Sequence, residues 1–81
     1  MITIYSMEKC GYCASAKAAL TIKNIDFKEV RVPHDMPVAE FVSNFPNCKS
    51  FPLIFDDFTL VGGFKELQTY LLSKELGGMS L

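Results

Sequence analysis

Apolar runs and amphipathic stretches alternate along the chain at spacings that define seven elements. Residues 2–5, Ile-Thr-Ile-Tyr, form a short apolar run that reads as a buried strand. After a loop at 6–9, residues 11–24 read as an alanine-rich helix, with Ala14, Ala16, Ala18, Ala19 and Leu20 favouring helix and Lys17 and Lys23 left for solvent. Asn24 supplies a C-terminal stop. Residues 26–32 alternate as a strand that buries Phe27, Val30 and Val32, but the phase slips between Phe27 and Val30 and leaves the register open. Asp35 can cap a second helix that has Met36 and Pro37 in its first turn. Val38, Phe41, Val42 and Phe45 then share one helical face, and Pro46 ends the run.

The second half continues the alternation. Residues 51–55 and 58–61 flank Asp56-Asp57, a two-residue hairpin signal, and Gly62-Gly63 breaks the second of these strands. Residues 64–75 read as a last helix that turns Phe64, Leu67, Tyr70 and Leu71 inward; Gly77-Gly78 ends it and residues 79–81 are expected to be loose. The order β-α-β-α-β-β-α predicts a parallel pair joined by a crossover helix and a late antiparallel hairpin in the same sheet. The fold class is α/β, with helices on both faces of a four-stranded mixed sheet.

Composition narrows the class. Eighty-one residues make a single domain, 1–81, without room for a second core. Three cysteines exclude a multi-disulfide secreted scaffold. A formal net charge of −1 offers no electrostatic case for nucleic acid or an anionic membrane. No apolar stretch approaches the roughly 18 residues of a membrane span, and residues 1–5 are too short for a signal peptide's apolar region, so a cytoplasmic monomer is expected.

Candidate chemistry is concentrated in Cys10-Gly11-Tyr12-Cys13, between the first strand and the first helix. In a chain with βα patterning, two thiols at this spacing read as a catalytic dithiol in a reducing compartment. Cys10 falls at the N-cap, where orphan N–H groups of the first turn point at its sulfur and the helix dipole favours an anion by about 0.3–1 kcal/mol. Cys13 lies one turn deeper and is expected to be the more buried, less acidic thiol. Cys10 would therefore attack a substrate disulfide, and Cys13 would resolve the resulting mixed disulfide.

The element order, Cys-Gly-Tyr-Cys followed by Ala16-Lys17 and Leu20, Ser50-Phe51-Pro52, and Gly62-Gly63 with Glu66 three residues on resemble the glutaredoxin branch of the thioredoxin fold, in its short bacterial or phage form. The family pattern has Thr-Val-Pro at 50–52, often Asp at 66, and in many members proline at 11. The resemblance implies a glutathione-dependent thiol-disulfide oxidoreductase that acts on protein disulfides and glutathione mixed disulfides, with ribonucleotide reductase as a candidate partner. It implies a cis Phe51–Pro52 bond facing the dithiol, with the Phe51 backbone free to pair with glutathione or a substrate peptide. It further implies a glutathione site made of Tyr12, Phe51, Pro52, Gly63, Phe64 and Lys65, with Lys9 and Lys49 as candidate partners of the glycyl carboxylate. Glu66 has two readings, a contact for the γ-glutamyl ammonium or a helix cap.

Two rival readings follow from the residues that depart from the pattern. Phe51 and Phe64-Lys65 can alter the glutathione site, which would suit a redoxin reduced by thioredoxin reductase. A zinc or iron–sulfur module is the other rival, but a closed site needs four ligands, and Cys48 and His34, the only remaining Cys or His, do not sit in a second paired motif, so no metal is expected. Cys48 reads as a buried or incidental thiol.

Overall fold

The structure is a computed structural model that describes residues 1–48 and 50–78. Its elements follow the predicted order: β1 (Ile2–Met7), α1 (Gly11–Ile22), β2 (Phe27–Val32), α2 (Val38–Asn44), β3 (Leu53–Asp56), β4 (Thr59–Gly62) and α3 (Phe64–Gly78). The sheet runs β2-β1-β3-β4, with β1 parallel to β2 and the other neighbours antiparallel. No helix among the described residues is long and apolar enough to cross a membrane. The expectation for residues 79–81 lies outside the described residues.

Two hydrophobic layers sandwich the sheet. On one face, Ile2 and Ile4 of β1 and Ile54 of β3 pack against Ala16 and Leu20 of α1 and Leu67 and Leu71 of α3. Ile4, Leu20, Ile54 and Leu67 are fully enclosed, and such burial stabilises by about 1.5–3 kcal/mol per side chain. On the other face, Val32, Leu53 and Phe41 gather a largely aromatic group: Tyr5, Phe45, Phe51 and Phe55. Phe41 stacks on Phe51 with ring centroids 4.8 Å apart, and Tyr5 meets Phe45 edge-on at 4.9 Å.

The phase slip in β2 has a structural cause. Phe27 packs into the α1–α3 layer, whereas Val32 belongs to the aromatic layer opposite. Both faces of this strand are covered, so its apolar residues need not keep one parity. Glu29 shares the parity of Phe27 and reaches Lys17 of α1. Lys17, expected in solvent, is thus half-buried in an ion pair.

Three local expectations are corrected. Asp35 does not cap α2; the cap position is Pro37, without a side-chain hydrogen bond. The Asp35 carboxylate instead accepts from the backbone N–H and side-chain Nε of Arg31, at 2.9 and 3.3 Å, closing the turn that follows β2. Pro37 also disfavours a helical Met36, so the helix cannot begin earlier. Within α2 only Phe41 is buried, while Val38 and Val42 are half-exposed, because a two-turn helix meets the sheet along a single line. The hairpin turns at Asp57-Phe58 rather than Asp56-Asp57: Asp56 stays in β3, where the Tyr70 hydroxyl donates to its carboxylate, and Asp57 takes the left-handed conformation that Asp tolerates better than most residues. Phe58 is left wholly exposed.

Candidate active site

β1 ends at Met7, and the loop through Glu8 and Lys9 delivers Cys10 to the start of α1. Lys9 adopts a left-handed conformation (φ 58°), which turns the chain sharply enough for the next residue to cap the helix. Cys10 is that N-cap. Its sulfur accepts the Cys13 backbone N–H at 3.2 Å, and its carbonyl accepts the Ala14 N–H at 3.1 Å. The Cys10 thiol is half-buried and donates to the Phe51 carbonyl at 3.8 Å. Both cysteines are reduced.

Cys13 occupies the buried stripe of α1 with Ala16 and Leu20 and is 2% exposed. Burial, followed by the adjacent Cys10 sulfur, pushes its thiol up to about 12. The ordinary cysteine value is about 8.5, so the motif contains one accessible sulfur and one that holds its proton tightly. That inequality is the one expected from a spacing of three on a helix start.

Phe51–Pro52 is cis, as expected, and Val32–Pro33 is a second cis bond that nothing in the sequence singled out. Pro52 is buried, and the Phe51 ring stacks on Phe41 in the aromatic layer, which leaves the Phe51 carbonyl toward the dithiol. The larger ring that replaces valine is therefore accommodated by the core.

Tyr12, Phe51, Pro52, Gly63, Phe64 and Lys65 come together in a groove of about 370 Å³. Tyr12 is 67% exposed, and its ring lies 6.1 Å from that of Phe64. Glu66 takes the capping position: its Oε1 accepts the Gly63 N–H at 2.8 Å, three residues back, as in a capping box. Gly62 has φ 120°, and a Cβ there would stand 2.8 Å from the Glu66 Cγ, so the chain needs glycine to deliver this cap.

Lys9 does not join that groove. It lines a separate cleft of about 500 Å³ on the other side of the dithiol, with Cys10, Cys13, Lys17, Glu29 and Arg31. Lys49 lies outside the described residues. Inside this cleft, Lys17 Nζ donates to Glu29 Oε2 at 2.8 Å and the buried Ser6 hydroxyl donates to the same oxygen at 2.6 Å. These two bonds, Lys17's first, hold the Glu29 carboxyl below the usual carboxylate range. The sequence reading passed over this cluster; its only trace was a charged residue on the inward parity of β2. Cys48 stands apart, half-buried, with its thiol donating to the Ser50 carbonyl at 3.1 Å. Among the described residues, no group of three or more His, Cys, Asp or Glu side chains converges as a metal site.

Comparison with known proteins agrees with this geometry. The glutaredoxin family model matches residues 2–61. A glutaredoxin-like 8.6 kDa protein from the rubredoxin operon of Clostridium pasteurianum is 35% identical over 68 residues, covering 84% of this chain and 91% of that protein. Glutaredoxin 1 of Rickettsia bellii is 36% identical over 78 residues, covering 91% of this chain and 78% of its own. Among solved structures, glutaredoxin 1 from Francisella tularensis complexed with cacodylate superposes with a TM-score of 0.73 at 28% identity, covering 94% of this chain and 95% of that one.

Proposed function

Because this chain belongs to the glutaredoxin family of thiol-disulfide oxidoreductases, we propose that its single domain is a dithiol oxidoreductase that draws electrons from glutathione. The observation that carries the reading is the inequality of the two sulfurs: Cys10 accessible at a helix N-cap, Cys13 enclosed one turn on. Cys10 attacks a substrate disulfide as its thiolate and forms a mixed disulfide while the substrate's other sulfur leaves. Cys13 then attacks the Cys10 sulfur and releases the remaining thiol. Glutathione reduces the resulting Cys10–Cys13 disulfide by the reverse exchange, again through a mixed disulfide on Cys10.

Glutathione suits the groove beside Tyr12. Its apolar edge offers Tyr12 and Phe64 as packing surfaces, and the start of α3 offers the backbone N–H groups of Phe64 and Lys65, with the Lys65 charge, to a carboxylate. The Gly63 N–H is already taken by Glu66, so Gly63 contributes close approach rather than a donor. Lys9 serves the glycyl carboxylate only if the tripeptide reaches round the dithiol into the second cleft. Disulfide-bearing proteins are the expected macromolecular substrates, with ribonucleotide reductase the candidate for a reductant of this size.

The test is NADPH oxidation driven by glutathione reductase, with glutathione as the only electron carrier and a glutathione mixed disulfide as substrate. Turnover that vanishes in Cys10→Ser is expected. No turnover, with activity appearing when thioredoxin reductase replaces glutathione and its reductase, would replace this donor with the other.

A further inference from the structure

Cys13 must surrender a proton before it can attack, and its surroundings mostly oppose that loss. Each element packed around it contributes something different. From α1 come Cys10, whose sulfur accepts the Cys13 N–H at 3.2 Å, and Lys17, and from β1 Ser6 and Met7 line the same cleft. From β2, Glu29 and Arg31 enter the same cleft, and Lys9 and Glu8 line it from the loop. Arg31, paired with Asp35 on the turn after β2, and Lys9 are both exposed. Lys17 differs from both. It lies four residues beyond Cys13, hence on the same helical stripe, and its ammonium acts on the Cys13 thiol in the direction that favours the thiolate. Its position is fixed from the sheet: Glu29 Oε2 holds Nζ at 2.8 Å, and Ser6 holds that same oxygen at 2.6 Å. Three elements thus converge to keep one ammonium in the cleft that Cys13 lines.

We propose that Lys17, tethered by Glu29 and Ser6, is the positioning cation of the resolving step, steadying the negative charge that Cys13 acquires on losing its proton, before it attacks Cys10. The proposal rests on the roles given above to the two cysteines. In that step the Cys13 thiol gives its proton to water through the cleft. A bond forms between the Cys13 and Cys10 sulfurs, and the bond from Cys10 to the substrate sulfur breaks. The substrate leaves as a thiolate and takes up a proton; its sulfur is reduced, that of Cys13 is oxidised, and Cys10 stays at the disulfide level. Glu29 keeps the lysine from swinging into solvent, at the expense of neutralising part of its field.

The experiment is the reaction of reduced full-length protein, in a Cys48→Ser background, with 5,5′-dithiobis(2-nitrobenzoate). The first equivalent of released thiolate reports attack by Cys10 and the second reports attack by Cys13. In Lys17→Met the second phase should slow about tenfold at neutral pH, the equivalent of one pH unit of thiol ionisation, and recover as pH rises. The first phase should be unchanged, and Lys17→Arg should keep both phases within about twofold of the parent, since it retains the charge. A Lys17→Met second phase with the parental rate and pH profile would overturn the proposal. So would equal slowing of both phases, which would mark Lys17 as merely structural. A second equivalent from Cys13→Ser would overturn the dithiol assignment itself, and the role of Lys17 with it.

Discussion

The two flanks of the Cys10–Cys13 turn are made of different materials. On one side, Tyr12, Phe64 and Pro52 border a groove whose polar residues are Ser50, Lys65, Gln68 and Glu66, the cap of α3. On the other, Lys9, Lys17, Glu29 and Arg31 line a cleft that reaches the buried Cys13. The aromatic side presents the exposed Tyr12 ring beside that of Phe64. The charged side is built inward, with its central carboxylate held by a buried hydroxyl from the neighbouring strand. One helix start can therefore separate recognition of a substrate from management of charge on the thiols, because successive positions on a helix face different directions.

Substitutions on each side should separate these tasks. The largest effect is expected at the junction: Cys13→Ser should lower reduction of a protein disulfide by more than about 100-fold, as removal of an obligatory nucleophile does, while turnover of a glutathione mixed disulfide persists. Equal loss in both assays would break the assignment of roles. On the aromatic flank, Tyr12→Ala should raise KM for a glutathione mixed disulfide about three- to tenfold, the equivalent of one aromatic contact, with an unchanged melting temperature because the ring is exposed. A lowered melting temperature with unchanged KM would make Tyr12 part of the packing instead.

The smallest effect belongs to the charged flank and concerns stability. Glu29 has a folded-state pKa below its unfolded value of about 4.3, so its contribution is fully present above that value and is lost as pH falls through the lower, folded value. The carboxylate is partly solvated, with 26% of its side chain exposed, and the contribution at neutral pH should be no more than about 1 kcal/mol. Glu29→Gln should shift the urea midpoint slightly downward at pH 7 and approach the parent as pH falls below the unfolded value. A difference that stays constant down to pH 3 would assign the effect to packing rather than charge.

The sequence by itself determined the element order, the mixed sheet, the two-cysteine motif at a helix start and the difference in depth between its sulfurs. Each depends on local periodicity: a spacing of three on a helix puts Cys13 on the stripe that also holds Ala16 and Leu20. Only the tertiary structure decided which side of the dithiol each lysine serves. Lys9 and Lys65 were both expected at the glutathione site, yet they line different cavities. It also decided that Lys17 meets Glu29 and Ser6, residues 12 and 11 positions away on two strands, a convergence set by the parallel β1–β2 register. Asp35 and Glu66 teach the same lesson from opposite sides. Both stood where a helix cap was possible, but Arg31 captured the first carboxylate, whereas the left-handed turn at Gly62 brought the second onto the Gly63 amide. A carboxylate binds the donor that the folded backbone brings nearest, and the backbone path around it is settled by long-range packing.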